Sequence, residues 1–375
     1  MTELDRDHPF RGIDLGSLPR PQLRALFEAA GEKAFRAEQL FRWLHVRLER
    51  DLDRMTDLPA SLRAKLAEAQ PLPQLEVVLA PVSKLDGSQK MVLRRRTGEV
   101  IEAVVMPMPG GWTTICVSSQ VGCKMGCDFC ATARIPTRVN LTAGEIVEQI
   151  AVACRLRFEA GWARGGVSGG VDGPLAARPQ NIVFMGMGEP LDNFDNVDAA
   201  LSILTDAKGL GFSPRRITVS TVGLAKRLPA LVAAHPNVHL AWSLTATTDA
   251  VRERLMPVNK GVPIAKMVET LTALPPDPHR KITFEYALLD GVNDSEEDAR
   301  RLGAMAIACG AHVNAIPFNV WPGAPYQRPP RDVVARFERA VAATGASVSL
   351  RESRGQDIGA ACGQLAGNET GALPA

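Results

Sequence analysis

One segment of the chain reads Thr113-Thr-Ile-Cys-Val-Ser-Ser-Gln-Val-Gly-Cys-Lys-Met-Gly-Cys-Asp-Phe-Cys130. Its first part is an apolar run typical of a strand, and its second part is a loop with the cysteine pattern C-x3-C-x2-C. Such a loop offers three thiolates to one centre. A structural zinc site usually has four Cys or His ligands, whereas a 4Fe-4S cluster held by three thiolates leaves one iron open to a small molecule. The spacing therefore predicts a 4Fe-4S cluster on Cys123, Cys127 and Cys130.

Strand-like and helix-like segments alternate from this point onward. Short apolar or β-branched runs predict strands at 114–118, 181–185, 216–221, 238–244, 281–288 and 312–318. Helical periodicity predicts helices at 143–158, 196–208, 224–234, 263–273, 295–308 and 332–343. Such alternation requires parallel strands joined by crossover helices, so we expect an α/β fold.

The first part of the chain has a different pattern. Short helices are predicted at 22–29, 37–48 and 59–69, and strands at 75–79, 90–95 and 100–106. Asp86-Gly87 predicts a hairpin turn between the first two strands.

We divide the chain into four parts. These are an N-terminal helical accessory domain at 1–72, a β-rich connector at 73–111, the α/β domain at 112–352 and a C-terminal tail at 353–375. Glycines between about 160 and 180 predict a flexible insertion in the α/β domain, and small residues after Leu365 predict a disordered end.

The composition is that of a globular protein. Of the 375 residues, 46% are hydrophobic. We find no apolar run near the roughly 18 residues of a membrane span, and the N-terminus lacks the basic and apolar regions of a signal peptide. Seven cysteines, an odd number, fit reduced thiols better than a disulfide framework. We expect a cytoplasmic protein without a membrane partner.

The net charge of +2 does not by itself indicate nucleic-acid binding. Local arginine clusters are the candidates for phosphate contacts: Arg94–Arg96, Arg215–Arg216, and Arg351 with Arg354. Each cluster alone is more often a solvated surface.

Further motifs follow the cysteine loop in order along the chain. They are Gly186-Met-Gly188-Glu189-Pro190-Leu191, Ser220-Thr221, Ser243-Leu244, Pro257-Val-Asn259-Lys260, Pro317-Phe-Asn319, Pro322-Gly-Ala-Pro-Tyr326 and Arg354-Gly-Gln-Asp-Ile-Gly-Ala-Ala-Cys362-Gly-Gln364. With these motifs the chain resembles the RlmN/Cfr family of radical S-adenosylmethionine enzymes, which methylate adenosine in RNA. The resemblance spans most of the chain. It implies an open, partial (β/α)6 TIM-like radical S-adenosylmethionine barrel with a small N-terminal helical domain. Most motifs then lie near the C-terminal ends of strands.

The resemblance implies that S-adenosylmethionine binds the open iron, and that one electron from the cluster splits it to a 5'-deoxyadenosyl radical. It also implies that two S-adenosylmethionine molecules are used in each turnover. The family's cofactor-binding positions are occupied here by Gly188, Glu189, Ser220, Ser243, Leu244, Thr245 and Asn319. The family usually has His where this chain has Thr245, so we expect that position to contribute mainly its backbone.

The resemblance also assigns roles to a pair of cysteines and a glutamate. In the family, the cysteine aligned with Cys362 is methylated first, and the radical then takes a hydrogen from its S-methyl group. The methylene radical adds to adenine, and Cys116 attacks the sulfur that joins protein to RNA, leaving a transient Cys116–Cys362 disulfide. Glu102 matches the family's proton acceptor. Cys154 and Cys309 match no motif, and we assign both to packing.

We therefore expect an enzyme, a radical S-adenosylmethionine methyltransferase. Carbon 2 of adenine is neither acidic nor nucleophilic, so its methylation requires a radical route. By resemblance the substrates are 23S ribosomal RNA and tRNA, the electron donor is a flavodoxin or ferredoxin, and the protein is a monomer. Shared motifs leave open the Cfr-type modification of carbon 8, or a divergent RNA target marked by Thr245 and the Gly-rich insertion.

Two hypotheses of other classes remain. A non-catalytic RNA-binding protein could use the cysteines for zinc; it would be colourless, whereas a cluster protein is brown. A radical enzyme acting on a protein or small molecule would not need the Cys116–Cys362 pair.

Overall fold

A computed structural model of the chain describes residues 8–69, 72, 75–162 and 173–367. The central part of the predicted Gly-rich insertion, 163–172, and the end of the predicted disordered tail, 368–375, lie outside the described residues. The described flank of the insertion is packed: Pro174–Ala177 forms a 3-10 turn in which Leu175 and Ala177 are buried. The predicted flexibility of the insertion stays a prediction.

The N-terminal part contains three helices, α1 (Arg20–Ala29), α2 (Ala34–His45) and α3 (Ala60–Ala69). Apolar side chains of α1 and α2 are fully buried against each other and against the main core. The second helix begins and ends three residues earlier than predicted. Leu48 has a φ of 56°, a left-handed conformation that a helix cannot include.

The next three strands form an antiparallel meander. They are β1 (Glu76–Leu79), β2 (Gln89–Arg94) and β3 (Val100–Met108). The loop between β1 and β2 contains Gly87 with a φ of 73°, in agreement with the predicted Asp86-Gly87 turn. β3 also pairs with the first strand of the α/β part, so the sheet continues from the connector into the barrel. The division of the chain at 1–72, 73–111, 112–352 and 353–375 stays a prediction.

The remaining elements alternate as the sequence predicts. The strands are β4 (Trp112–Cys116), β5 (Gln120–Val121), β6 (Val139–Asn140), β7 (Asn181–Phe184), β8 (Ile217–Thr221), β9 (His239–Ser243), β10 (Ile282–Leu288), β11 (His312–Pro317) and β12 (Val348–Leu350). The helices are α4 (Ala143–Glu159), α5 (Phe194–Thr205), α6 (Leu228–Ala234), α7 (Asp249–Leu255), α8 (Ile264–Thr272), α9 (Glu296–Ala308) and α10 (Arg331–Ala343).

Within the described residues one ten-stranded sheet has the order β1-β2-β3-β4-β7-β8-β9-β10-β11-β12. From β4 to β12 every neighbouring pair is parallel. Six of these strands, β4 and β7 to β11, correspond to the predicted six-stranded barrel, and the sheet stays open at both edges. The predicted partial (β/α)6 barrel with an N-terminal helical region is confirmed. The C-terminal ends of its strands all meet at one face, which is where the candidate site lies.

Further elements differ from the prediction. The helix expected at 224–234 begins only at Leu228, because Gly223 has a φ of 119° and Pro229 suits the first turn of a helix. α7 and β12 were not predicted, since seven and three residues are too short for a periodicity to be recognised.

None of the helices within the described ranges is both long and apolar enough to span a membrane.

A glycine in α9 allows this helix to approach α10 closely. A Cβ atom at Gly303 would lie 2.8 Å from Cβ of Thr344, at the end of α10. Helix propensity alone predicts that Gly303→Ala stabilises the protein by ~1 kcal/mol. We expect the opposite sign, a loss of about 1–3 kcal/mol in the free energy of unfolding, because the packed helices cannot separate without strain. Urea denaturation of Gly303→Ala measures this difference, with Ala304→Gly on the exposed face as the control for propensity; a stabilised Gly303→Ala variant would contradict the packing argument.

Candidate cofactor site and cysteine pair

The cysteine loop follows β5 and is shaped by two glycines. Gly122 and Gly126 have φ values of 68° and 69°, and a Cβ atom at Gly122 would collide with the carbonyl oxygen of Thr137. The indole N–H of Trp321 donates to the carbonyl oxygen of Phe129 at 3.1 Å, which attaches the loop to the end of β11. Glycine and packing together hold the loop in a tight curve.

The three loop cysteines, Cys123, Cys127 and Cys130, all line one cavity at the C-terminal face of the barrel. Cys127 is buried and the other two are partly exposed. Apolar residues lie beneath the loop: Met125, Leu255, Met256, Phe318 and Trp321. No His lines the cavity among the described residues.

Within the described part of the chain, no group of three or more His, Cys, Asp or Glu side chains is spaced to hold a single metal ion. A cubane cluster is larger than one ion, and it requires thiolate ligands that face a common cavity, one open coordination position and apolar cover. The loop supplies these features: three thiols directed to one cavity, no fourth cysteine in the loop and buried apolar residues below. These residues fit an iron–sulfur cluster.

Most predicted cofactor-binding residues line the same cavity. Gly188, Glu189, Ser220, Ser243 and Asn319 all lie at or just beyond strand ends. The hydroxyl oxygens of Ser220 and Ser243 are 3.3 Å apart, across β8 and β9. A Cβ atom at Gly188, which has a φ of 99°, would lie 2.6 Å from Cβ of Gln120. Only glycine therefore fits this position.

Glu189 is a buried carboxylate held by backbone donors. Its Oε1 accepts the N–H of Leu191 at 3.0 Å and its Oε2 accepts the N–H of Val222 at 2.9 Å. Burial raises the pKa of Glu189 to about 7, although these hydrogen bonds oppose the shift. A cation bound in the cavity would favour the ionised carboxylate.

Leu244 and Thr245 differ from the other predicted cofactor residues. Leu244 is fully buried in the core and is not among the described residues that line the cavity. Successive side chains along a β-strand point to opposite sides of the sheet. Ser243 faces the cavity, so its neighbour Leu244 faces the opposite side. Any contact between Leu244 and a cofactor is thereby limited to its backbone.

Thr245 lines the cavity with a φ of 56°. A β-branched residue in this left-handed conformation is strained, whereas His, the family's usual residue, occurs there more readily. The amide of Asn293 donates to the Thr245 carbonyl oxygen and holds the backbone in place. The expectation that position 245 contributes through its backbone stays a prediction.

The C-terminal segment brings Cys362 into the cavity. Hydrogen bonds attach this segment to the cysteine loop and to the end of β11: Ala131 N–H to Gly363 O at 2.8 Å, Thr132 Oγ1 to Leu365 O at 2.7 Å, Asn319 Nδ2 to Cys362 O at 3.0 Å and Gln364 Nε2 to Val320 O at 2.9 Å. Cys362 is therefore fixed beside the predicted cluster ligands.

A second, smaller cavity adjoins the first at Cys362. It is lined by apolar side chains of β3 and of the C-terminal segment, and by Cys116 at the end of β4. Met185 and Arg351 line both cavities. Burial, followed by the nearby Cys362, raises the pKa of Cys116 to about 12, and Arg351 opposes this shift. The two predicted partner cysteines thus share one cavity, and within the described residues all seven cysteines are free thiols.

Glu102 lies in β3 and is fully buried, but it is not among the described residues that line either cavity. Its Oε1 accepts the N–H of Gly367 at 3.0 Å, and its Oε2 lies 3.5 Å from Nζ of Lys90. Burial raises the pKa of Glu102, while Lys90 opposes that shift. The predicted proton acceptor binds the C-terminal segment in this conformation.

The cysteines assigned to packing differ in burial. Cys154 is fully buried in α4, and Cys309 is partly exposed beside the end of α9. Neither lines a cavity that contains the predicted site residues.

Two charged residues of the cavity were not predicted as site residues. Glu285 points inward from β10, and its Oε2 lies 3.8 Å from the nearer terminal nitrogen of Arg351. Asn314 Nδ2 donates to Oε1 of Glu285 at 3.0 Å. A glutamate within the mostly apolar strand Ile282–Leu288 is a signal that the sequence does contain.

Glu285 gives a pH dependence with a definite sign. Burial raises its pKa above the ordinary value of 4.5, so the folded state binds the proton more tightly than the unfolded state does. Tighter proton binding stabilises the folded protein in full when the pH is below the pKa of the unfolded chain. This stabilisation is lost as the pH rises through the pKa of Glu285 in the folded protein. We expect Glu285→Gln to gain stability relative to the unmodified protein as the pH rises above the ordinary glutamate pKa of 4.5, measured by urea unfolding at a series of pH values. A stability difference independent of pH would contradict the raised pKa.

Several arginines of the clusters predicted to contact phosphate are buried or already bound by other side chains. Arg95 is buried, and its Nε donates to Oε1 of Glu145 at 2.8 Å. Arg216 lies over the Trp112 ring at 4.5 Å, and Arg351 faces the cavity. The prediction of a phosphate contact is wrong for Arg95, because carboxylates already bind its guanidinium group.

Comparisons with known proteins agree with this geometry. Residues 13–71 match the family model of the ribosomal RNA large subunit methyltransferase N-terminal domain. The chain is 46% identical to a dual-specificity RNA methyltransferase RlmN of Anaeromyxobacter sp. (strain Fw109-5), over 96% of this chain and 93% of the relative. It is 42% identical to the protein of the same name from Halorhodospira halophila, over 95% and 94% of the two chains.

A solved structure is also similar. The crystal structure of a radical SAM methyltransferase from Sphaerobacter thermophilus has a TM-score of 0.85 and 40% identity, and the match covers 95% of this chain and all of that one. The sequence motifs, the barrel and both terminal regions therefore agree with one family. The chain belongs to the RlmN family of radical S-adenosylmethionine RNA methyltransferases.

Proposed function

We propose that this protein methylates carbon 2 of adenosine in 23S ribosomal RNA and in tRNA, using a 4Fe-4S cluster and S-adenosylmethionine. One observation carries the proposal. The three loop cysteines, the polar residues of the strand ends and Cys362 line a single cavity, and Cys116 meets Cys362 in the adjoining one. A binding protein with a structural metal would not need a cysteine pair beside that cavity.

Cys123, Cys127 and Cys130 would hold the cluster, and Glu189, Ser220, Ser243 and Asn319 would orient the cofactor. When bound, these groups supply the radical chemistry that an unactivated ring carbon requires. The protein contributes orientation and exclusion of water: the cavity has mostly apolar walls, and the C-terminal segment covers one side.

Cys362, Cys116 and Glu102 would act on the adenine of the RNA. Cys362 would accept a methyl group on its sulfur and carry that carbon to the adenine. The Cys116 thiolate would then attack the Cys362 sulfur: the Cys116–Cys362 disulfide forms, the bond between that sulfur and the transferred carbon breaks, and the carbon stays on the base and takes up a proton. Its buried location makes Cys116 a weak nucleophile until the thiol ionises. Glu102 is fully buried away from the cavity and holds the N–H of Gly367, so we propose that residues 353–367 shift when RNA binds and give Glu102 access to the proton on carbon 2.

The remaining expectations belong to the same proposal. A flavodoxin or ferredoxin would supply the electron, the protein would act as a monomer, and it would work in the cytoplasm. The RNA methyltransferase names of the relatives support an RNA substrate.

Nucleoside analysis tests the proposal directly. RNA from a strain that lacks this gene is digested and compared by mass spectrometry with RNA from the parent strain. We expect 2-methyladenosine to disappear from 23S ribosomal RNA and from tRNA, and to return when the gene is restored.

Three outcomes would change the assignment. Loss of 8-methyladenosine instead would indicate a Cfr-type reaction on carbon 8. Loss of 2-methyladenosine from only one RNA class would narrow the substrate. Unchanged nucleosides, together with a colourless protein containing stoichiometric zinc, would favour the non-catalytic RNA-binding alternative.

A further inference from the structure

A fully buried guanidinium group lies directly behind the cofactor cavity. Arg252, in α7, has no exposed surface. Its Nε donates to the carbonyl oxygen of Leu244 at 3.0 Å, and one terminal nitrogen donates to the carbonyl oxygens of Val222 at 2.6 Å and Ser243 at 3.2 Å. Val222 and Ser243 line the cavity, so one side chain connects the ends of β8 and β9 from behind.

The other terminal nitrogen of Arg252 donates to Oδ1 of Asn259 at 2.9 Å. Asn259 in turn donates to a carboxylate oxygen of Asp249 at 2.8 Å. The acceptors of Arg252 are therefore three carbonyls and an amide, and none of them carries a full negative charge. A buried cation without a carboxylate partner is costly unless another anion lies near it.

The cysteine loop supplies that anion. The N–H of Asp128 donates to the carbonyl oxygen of Leu255 at 2.9 Å, and Cys127 packs in one cluster with Leu255 and Met256, so the loop rests on the end of α7, the helix that carries Arg252. Burial lowers the pKa of Arg252 to about 10, and Cys127 and Asp249 oppose this shift. The charged groups that face Cys127 are Cys130, Cys123 and Glu189, all of them acidic, and Arg252 is the cation among them. A cluster on three thiolates is anionic and becomes more so when it takes up an electron, so a fixed cation beside it favours the reduced state.

We propose that Arg252 is a positioning residue that balances the charge of the cluster and raises its reduction potential, while it holds the cavity wall formed by Val222 and Ser243. The inference rests on the proposed function in one respect, the presence of the cluster. It adds that an electron donor of ordinary strength reduces this cluster because a buried cation lies behind Cys127.

The test measures the midpoint potential of the cluster in anaerobically purified full-length protein, by redox titration followed with electron paramagnetic resonance. Arg252→Met removes the charge with little change in length. We expect the equilibrium constant for one-electron reduction to fall about ten-fold, which corresponds to ~59 mV towards more negative potential. Arg252→Lys retains the charge but not the forked hydrogen bonds, and its potential should stay close to that of the unmodified protein.

Two further variants separate the effect of the Arg252 charge from the effect of its hydrogen bonds on the cavity wall. Asn259→Ala removes one hydrogen bond of Arg252 and leaves its charge, so its midpoint potential should not change even if the free energy of unfolding falls. Asp249→Asn removes a nearby negative charge, and its potential should rise. If Arg252→Met does not fold, Arg252→Gln removes the same charge while keeping hydrogen-bond donors, and its potential should fall as well.

The inference is overturned if Arg252→Met, with full iron content, has an unchanged midpoint potential, or if Asn259→Ala lowers the potential as much as Arg252→Met does. Failure of the proposed function looks different, because the unmodified protein would then contain no iron–sulfur cluster to titrate.

Discussion

Replacing Cys127 by Ala is expected to abolish the iron–sulfur cluster. Cys127 is buried at the centre of the loop and lines the cavity with Cys123 and Cys130. Two remaining thiolates cannot hold a cubane that needs three protein ligands. Anaerobically purified protein should contain roughly four iron and four sulfide per chain. We expect the variant to be colourless, with both contents near zero, and to form no methylated adenosine.

Cys154→Ala is the matched control. Cys154 is also a buried cysteine, but it packs in α4 and is not among the residues that line the cavity. This variant should keep its colour, iron and sulfide. Full iron and sulfide in Cys127→Ala would show that the loop does not bind the cluster.

The second large effect concerns the cysteine pair. Cys362→Ala removes the sulfur that we propose as the methyl acceptor, so we expect the rate of 2-methyladenosine formation to fall by roughly 10³-fold or more. The cluster should remain, because Cys362 is not one of the loop ligands. The readout is methylated nucleoside per chain in RNA incubated with the purified protein, together with the iron content.

Cys116→Ala should fail at a later step. Without the resolving thiol the bond between Cys362 and the base cannot be displaced, and a covalent protein–RNA product should accumulate. Gel electrophoresis under denaturing conditions detects this product. Full 2-methyladenosine formation by Cys362→Ala would contradict the role proposed for Cys362 as the carrier of the methyl group.

The barrel was predictable because its signals are local. Each strand of the α/β part is a short apolar run followed by a helical period, and parallel order follows from that alternation. The cysteine loop was predictable for a similar reason, since the spacing from Cys123 to Cys130 already restricts which centre can bind. Gly122 and Gly126 then adopt the left-handed conformations that such a loop requires.

The orientation of side chains was less predictable. Leu244 is adjacent to two residues that line the cavity, yet alternation along the strand turns it into the core. Glu285 was missed because a charge within a strand does not show which of the two faces it occupies. Arg351 was assigned to a phosphate cluster, but it turns inward and pairs with Glu285 across two strands.

Long-range contacts were the least predictable feature. The approach of Cys116 to Cys362 requires the C-terminal segment to cross the open barrel and to bond with the cysteine loop and β11. No local pattern reports such a contact. The family resemblance supplied the pairing, and the shared cavity provides its physical basis.

One measurement tests the central claim most directly. The anaerobically purified protein is mixed with S-adenosylmethionine and dithionite, and the products are separated by liquid chromatography. We predict the formation of 5'-deoxyadenosine, and its absence in Cys127→Ala. If a protein with a full complement of iron and sulfide yields no 5'-deoxyadenosine, the assignment of radical chemistry to this cavity is wrong.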